Sequence, residues 1–284
     1  DEMVSVWQSA ANNPRPYPDD PQEIPTWIGD GPAPARCALD IALHDRIARN
    51  LNVPLHKLLG VPFPKPKPSS FTIALDTPFE MARMADQVKS YPIIKVKLGG
   101  DSQDLDRLAA IRDVRHGVKL WVDANGGWTL DEAEQYLPEL ETLGIEMLEQ
   151  PLDKVDIAGM GILQSKTKIP IVADESLQSF ENLKEIALAG VQGVNIKLMK
   201  VGGLSPALKM ICQAKALGLK VMLGCMIETA IGTTAMAHLM GLGDWLDLDA
   251  SALIVNDPFV GMKLDPSCKV HLPEGSGLGV EIRN

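Results

Sequence analysis

From residue 71 onward, short apolar β-rich runs alternate with helix-like stretches at a steady period of about 20–28 residues. That regularity limits the folds open to the chain more than any other feature. The runs lie at about 71–76, 92–98, 118–123, 144–149, 169–174, 191–198, 219–225 and 246–252. Between them come stretches such as "TPFEMARMADQVKS", "SQDLDRLAAIRDV" and "TLDEAEQYLPELETL", with Thr77, Ser102 and Thr129 where N-caps belong. Eight near-continuous apolar strands and seven helices predict a parallel sheet covered on both faces. A closed α/β barrel of the (β/α)₈ type fits that count. The other candidate, a doubly wound open sheet, usually carries a Gly-rich dinucleotide loop after an early strand, and the sequence has none.

Upstream the pattern changes. Residues 12–35, "NNPRPYPDDPQEIPTWIGDGPAPA", are rich in proline and read as irregular loop. In "PARCALDIALHDRIARNLNVPLHKLLG", Ala38, Ile41, Ala42, Asp45 and Ile47 fall near helical spacing, and Asn50 with Pro54 marks a stop. "PFPKPKPSS" at 62–70 reads as a linker. With 284 residues, 45% of them hydrophobic, the chain can bury a sizeable core. Its net charge of −10 argues against nucleic acid or an anionic membrane surface as partner. No apolar run reaches the roughly 18 residues of a membrane span. The opening "DEMVSVWQSA" has neither a signal-peptide pattern nor an initiator Met, so a preceding N-terminal part is expected to be absent. Cys37, Cys212, Cys225 and Cys268 lack metal-type spacing, and such sparse use suits a reducing cytoplasm.

Barrels of this kind carry their active sites at the C-terminal ends of the strands. The run "IIKVKLGG" at 93–100 turns Lys95 and Lys97 to one face, with Ile94, Val96 and Leu98 on the other. "WVDANGGW" ends the third strand with Asp123 and Asn125, "EMLEQP" the fourth with Glu149, and "IVADES" the fifth with Asp174 and Glu175. "VNIKLMK" supplies Asn195 and Lys197, Glu228 follows the seventh strand, and "LDLDAS" carries Asp247 and Asp249. Lys97, Asp123, Glu149, Asp174 and Lys197 are spaced by 26, 26, 25 and 23 residues, in step with the strand repeat, so all should reach one rim. Three converging carboxylates repel in a partly dry site. An all-oxygen set with room for water and substrate suits Mg²⁺, with Mn²⁺ second. Zinc is less suited, because no His or Cys accompanies the acids.

In a ring of eight, the second and sixth strands are diametrically opposite. Lys97 and Lys197 would then face each other across a substrate, one removing a carbon-bound proton and the other delivering a proton to the opposite face. That is the arrangement for a stereoinverting 1,1-proton transfer through an enediolate stabilised by the metal. A free lysine is protonated at neutral pH. Lys95 is therefore expected to disfavour the charged form of Lys97 and to reach the substrate carboxylate.

"KVK", "DANGGW", "EQP", "ADES" and "NIKLMKVGG", in this order, resemble the enolase superfamily, muconate-lactonising subgroup. The resemblance implies a modified TIM barrel, (β/α)₇β, with the remnant of an α+β capping domain. On that pattern residues 1–68 are the partial cap, without its N-terminal sheet, 69–262 the barrel, and 263–284 a segment returning to the cap. It further implies metal ligation by Asp123, Glu149 and Asp174 and acid/base roles for Lys97 and Lys197. "GCMIET" at 224–229 and the "DLD" at 247–249 are similar to the dipeptide epimerases of that subgroup, of the L-Ala-D/L-Glu type. There the Asp-x-Asp pair binds the substrate's ammonium group. The expected substrate contacts are Lys95, Asn125, Asn195, Cys225, Met226, Glu228, Asp247 and Asp249. Sister activities with the same machinery are o-succinylbenzoate synthase, muconate cycloisomerase and N-acylamino acid racemase. A small-molecule dipeptide is the expected partner, with homo-oligomerisation through barrel helices a further expectation.

Overall fold

The structure is a computed structural model and describes residues 2–283. The eight strands are β1 (Phe71–Ile73), β2 (Ile93–Lys97), β3 (Lys119–Asp123), β4 (Ile145–Glu149), β5 (Ile171–Ala173), β6 (Gly193–Lys197), β7 (Lys220–Gly224) and β8 (Trp245–Asp247). They form one sheet in sequence order, with every neighbouring pair parallel. Seven longer helices separate them: Pro78–Gln87, Asp104–Val114, Leu130–Thr142, Ile157–Lys166, Phe180–Ala189, Leu204–Ala216 and Ala230–Ala237, with one short helical turn, Leu198–Val201, directly after β6. The chain thus builds the α/β barrel that the repeat predicts, in the (β/α)₇β form that the family resemblance implies.

β1 and β8 meet at a seam of mixed bonds. Ser70 N donates to Leu246 O at 3.1 Å, Leu248 N to Ser69 Oγ at 2.8 Å and Thr72 N to Asp249 Oδ2 at 2.6 Å. Side-chain oxygens therefore complete the pairing of a strand too short to offer a full ladder.

Alternation along the strands sorts the barrel into zones. Ile94, Val96, Leu120, Val122, Val194 and Ile196 face outward beneath the helices and are fully buried in the main core. Facing inward, Ile93, Trp121, Met147, Val172 and Met222 form a separate apolar cluster inside the barrel. Full burial of each such side chain stabilises by roughly 1.5–3 kcal/mol. On β2 the inward face then changes character, passing from Ile93 to Lys95 and Lys97.

Local signals set the helix starts. Thr77 Oγ1 accepts from Glu80 N, and Thr129 with Glu132 forms a capping box. Ser102 does not cap: the next helix starts after Gln103, whose amide goes to Asp101 Oδ1 at 2.8 Å. Asp101 wins because its carboxylate closes the shorter two-residue turn.

The upstream helix runs Ala33–Asn50, with a short turn Leu55–Leu58 after Pro54. Residues 12–35 are not irregular throughout. A 3-10 turn at Pro21–Glu23 leads into a helix Ile24–Ile28, which buries Ile24 and Trp27 against Leu43 and Ile47. Prolines in the first turn of a helix remove only donors that lack partners anyway, so the proline count misleads there. A further helix spans Glu2–Ala11. In the linker, Lys67 and Pro68 pair antiparallel with Val270 and Lys269, and Gly277 N bonds Val53 O at 2.9 Å. Among the described residues no helix is long and apolar enough to cross a membrane.

Candidate active site

The polar strand ends meet at the C-terminal mouth. Parallel register sets Lys97 beside Asp123 and Asp123 beside Glu149. Lys97 Nζ lies 2.7 Å from Asp123 Oδ2 and 3.0 Å from Asn125 Oδ1. On the far flank, Lys197 Nζ lies 2.9 Å from Asp174 Oδ2. Glu149, between these flanks, accepts from Asn195 Nδ2 at 2.8 Å. Asp123, Glu149, Asp174, Asn195 and Lys197 are buried, while the Lys97 side chain keeps 30% of its exposure. The acids thus form a row from β3 to the end of β5, with a lysine at each end.

Lys95 does not take the place expected of it. Its Nζ lies 3.0 Å from Asp123 Oδ2, 2.7 Å from Glu149 Oε2 and 2.8 Å from Asp247 Oδ2, with the side chain 2% exposed. A buried ammonium seeks carboxylates, not a second ammonium. Lys95 therefore neutralises the row from beneath and has no open path to a substrate.

The charges follow this pairing. Burial pushes the Glu149 carboxyl up to about 7, helped by the neighbouring Asp123 charge. Against burial, the Lys95 and Lys97 ammonium groups hold Asp123 below the usual carboxylate range. Lys200 and Lys197 do the same for Asp174. Lys95 is raised well above the ordinary lysine value by Asp123, Asp247 and Glu149, which overcome its burial. Lys197 is likewise raised by Asp174 and Glu149 despite burial and the nearby Lys95.

Asp247 and Asp249 are both buried on the inner side of the seam. Asp247 binds Lys95 and accepts from Ser70 Oγ at 2.6 Å, while Asp249 takes the Thr72 amide. Burial and the Asp247 charge raise Asp249 to about 6. The pair thus has partners within the protein and is not a free anionic patch. Cys225 Sγ bonds Asp247 O at 3.3 Å. Glu228, raised to about 7 by burial, accepts from Met226 N at 3.1 Å. Met226 is exposed and lines a cavity of about 430 Å³ with Met199, Lys200 and Glu175.

Lys200 and Gln150 went unnoticed in the sequence. Lys200 Nζ bonds both Asp174 O and Asp174 Oδ1 at 2.5 Å. Gln150 accepts the Asp174 and Ser176 amides on Oε1, at 2.9 and 3.1 Å. The "EQP" and "KLMK" strings held both residues, but only the fold shows their partners.

In chemistry the donor set fits a hard divalent cation: three carboxylates, with no thiolate or imidazole. Glu149 Oε2 sits near Lys95 but without hydrogen-bond geometry, and Asn195 Oδ1 is buried without a hydrogen bond among the described residues. The acids are not gathered into a finished cage. Among the described residues no three His, Cys, Asp or Glu side chains stand together to hold a metal ion, because each acid is drawn to a lysine.

Known proteins share this arrangement of elements. The model of the enolase C-terminal domain-like family matches residues 80–284. An L-Ala-D/L-amino acid epimerase of Maribacter sp. is 38% identical over 253 residues, covering 87% of this chain and 72% of that relative. An L-Ala-D/L-Glu epimerase of Bacteroides thetaiotaomicron is 38% identical over 252 residues, covering 87% of this chain and 64% of that relative. The chain therefore spans about two thirds to three quarters of the length of these proteins. The crystal structure of a dipeptide epimerase from Cytophaga hutchinsonii, complexed with Mg and the dipeptide D-Ala-L-Val, superposes with a TM-score of 0.91 at 28% identity, covering 99% of this chain and 80% of that one. With its barrel, its row of strand-end acids and these matches, the chain belongs to the enolase C-terminal domain-like family.

Proposed function

We propose that the protein is an isomerase that epimerises dipeptides at the α-carbon next to the free carboxylate. The observation that carries this reading is the placement of Lys97 and Lys197. They lie on β2 and β6, opposite strands of an eight-stranded ring, with a row of acids between them. The named activities of the relatives agree with it.

Asp123, Glu149 and Asp174 would hold a divalent cation, Mg²⁺ as in the Cytophaga hutchinsonii complex. When bound, such a cation supplies positive charge to the substrate carboxylate and stabilises the charge that develops there as the α-proton leaves. In its amine form, Lys97 takes the α-proton from one face. The Lys197 ammonium delivers a proton to the opposite face of the same carbon, and in the reverse direction the two exchange roles. Asn125 and Asn195 orient Lys97 and Glu149 through the bonds given above. Asp247 and Asp249 receive the dipeptide's ammonium group, and Cys225, Met226 and Glu228 border it on the β7 side. Residues 1–68 and 263–284 act together as a cap on the barrel of residues 69–262.

The test is a dipeptide library incubated with the full-length protein and Mg²⁺ in D₂O and read by mass. Stereoisomers that gain a single deuterium at the α-carbon support the reading. Exchange confined to N-acyl amino acids, with none in dipeptides, would replace it by a racemase of acylated amino acids.

A further inference from the structure

Asp104 lies outside the row of acids, yet its carboxylate is fully buried and carries four bonds. Oδ1 accepts from Gly99 N at 3.2 Å and Arg107 Nη1 at 2.9 Å. Oδ2 accepts from Gly100 N at 3.0 Å and Trp128 Nε1 at 2.8 Å. Gly99 and Gly100 lie just beyond Lys97, in the loop after β2. Trp128 ends the loop after β3, which carries Asn125. Arg107 in turn donates through Nε to Asp76 O, beyond β1, at 2.8 Å. One carboxylate thus ties together the loops that follow three consecutive strands.

The tie bears directly on Lys97. Its ammonium is aimed by Asp123 and Asn125, and Asn125 lies in a strained left-handed conformation at φ 48°. The loops cross at Gly100 (φ +68°), where an added Cβ would strike the Gly127 carbonyl. A left-handed residue and a two-glycine crossing hold one geometry only if something over-determines them. Asp104, charge-paired to Arg107 and accepting three further donors, supplies that constraint.

We infer that Asp104 is a positioning residue for Lys97: a buried clamp across the loops after β1, β2 and β3 that fixes the base on one flank of the site. The opposite flank has its own hub. Gln150 holds Asp174, and through it Lys197, by accepting the Asp174 amide and donating to Leu152 O and Ser176 Oγ, both at 2.8 Å. Losing Asp104 therefore damages one face of the reaction, and losing Gln150 the other. The face selectivity rests on the two-lysine reading above; the clamp itself does not.

The experiment uses Asp104→Asn and the milder Trp128→Phe, which removes a single donor and keeps the fold within reach if Asp104→Asn fails to fold. Amide hydrogen exchange read by mass spectrometry should rise at least about tenfold over residues 98–101 and 125–128 in Asp104→Asn, and about threefold in Trp128→Phe, with β5–β8 unchanged. Unchanged exchange in those loops overturns the clamp, whatever the activity. Deuterium uptake at the substrate α-carbon is then compared for the two stereoisomers, taking as reference the stereoisomer whose uptake Lys97→Ala abolishes. Asp104→Asn should slow that stereoisomer at least about tenfold more than the other, and Gln150→Met should reverse the preference. Equal slowing of both stereoisomers overturns the positioning role. If Lys97→Ala abolishes uptake of both or of neither, the two-lysine reading falls and the amide exchange alone decides the clamp.

Discussion

Lys95 Nζ and Asp247 Oδ2 stand 2.8 Å apart in the barrel interior, joining β2 to β8 past the short β1. Lys95 is also the shared counter-ion of Asp123 and Glu149. Removing it leaves the buried Glu149 and Asp247 without their cation, while Asp123 keeps Lys97. Lys95→Met should therefore lower stability by about 3–5 kcal/mol, read by urea unfolding. In Lys95→Met/Asp247→Asn part of that loss should return, with a coupling of at least about 1 kcal/mol. Strict additivity would show that the pair does not interact in the folded protein.

Lys97 and Lys197 each serve one face in the proposed reaction. Lys97→Ala and Lys197→Ala should each lower epimerisation by at least about 10²–10⁴-fold, the range of a lost general acid or base. Each variant should keep α-proton exchange with D₂O for one stereoisomer only, the opposite one in each case. Full epimerisation by either variant rules out a two-base mechanism.

Divalent cation binding should stabilise the fold through the row of acids. With Mg²⁺ at a hundred times its dissociation constant, the gain is about 2.7 kcal/mol, visible as a higher Tm. Glu149→Gln should abolish the gain while leaving a folded protein, since its charge is disfavoured by burial to begin with. An equal Tm shift in Glu149→Gln would place the cation elsewhere.

His238 stacks on His56 with ring centroids 5.7 Å apart, accepts the His56 amide on Nδ1 at 3.2 Å and bonds Leu278 O through Nε2 at 3.2 Å. Burial lowers its pKa from 6.5 to about 4. The unfolded chain takes up a proton there below about pH 6.5, and the folded chain only near pH 4. The stability from neutral His238 is thus complete above pH 6.5 and is lost as the pH falls toward 4, by roughly 3 kcal/mol. His238→Asn keeps an acceptor for the His56 amide and should flatten the acid limb of a stability–pH curve. A variant curve parallel to that of the native protein would assign the acid limb to other groups.

The strand repeat made the barrel and its rim legible, because period and alternation together fix which side chains point inward and at which end. Spacing in step with the strand repeat was enough to bring Lys97, Asp123, Glu149, Asp174 and Lys197 to one rim, while the roles expected of them came from the family resemblance. What spacing could not give was the pairing between distant strands. Lys95 meets Asp247 across 152 residues of chain, and Asp249 meets the Thr72 amide across 177. The "KVK" and "DLD" strings hold Lys95, Asp247 and Asp249, but no motif marks which groups pair. Lys200 escaped for a related reason: it follows β6 on the short turn Leu198–Val201, which folds its amine back onto Asp174. Near the N-terminus, Pro21 and Pro25 mimicked a loop while sitting where a helical first turn tolerates them.

The seam between β1 and β8 has a consequence for any cationic visitor. Asp249 lends its oxygen to the Thr72 amide, and Asp247 is already spoken for by Ser70 and Lys95. An incoming amine drawn to these acids must compete with the bonds that keep the ring shut. On the proposed reading, ligand capture and barrel integrity draw on the same few oxygen atoms, so occupancy of this corner would be felt by the first strand as well as by the guest.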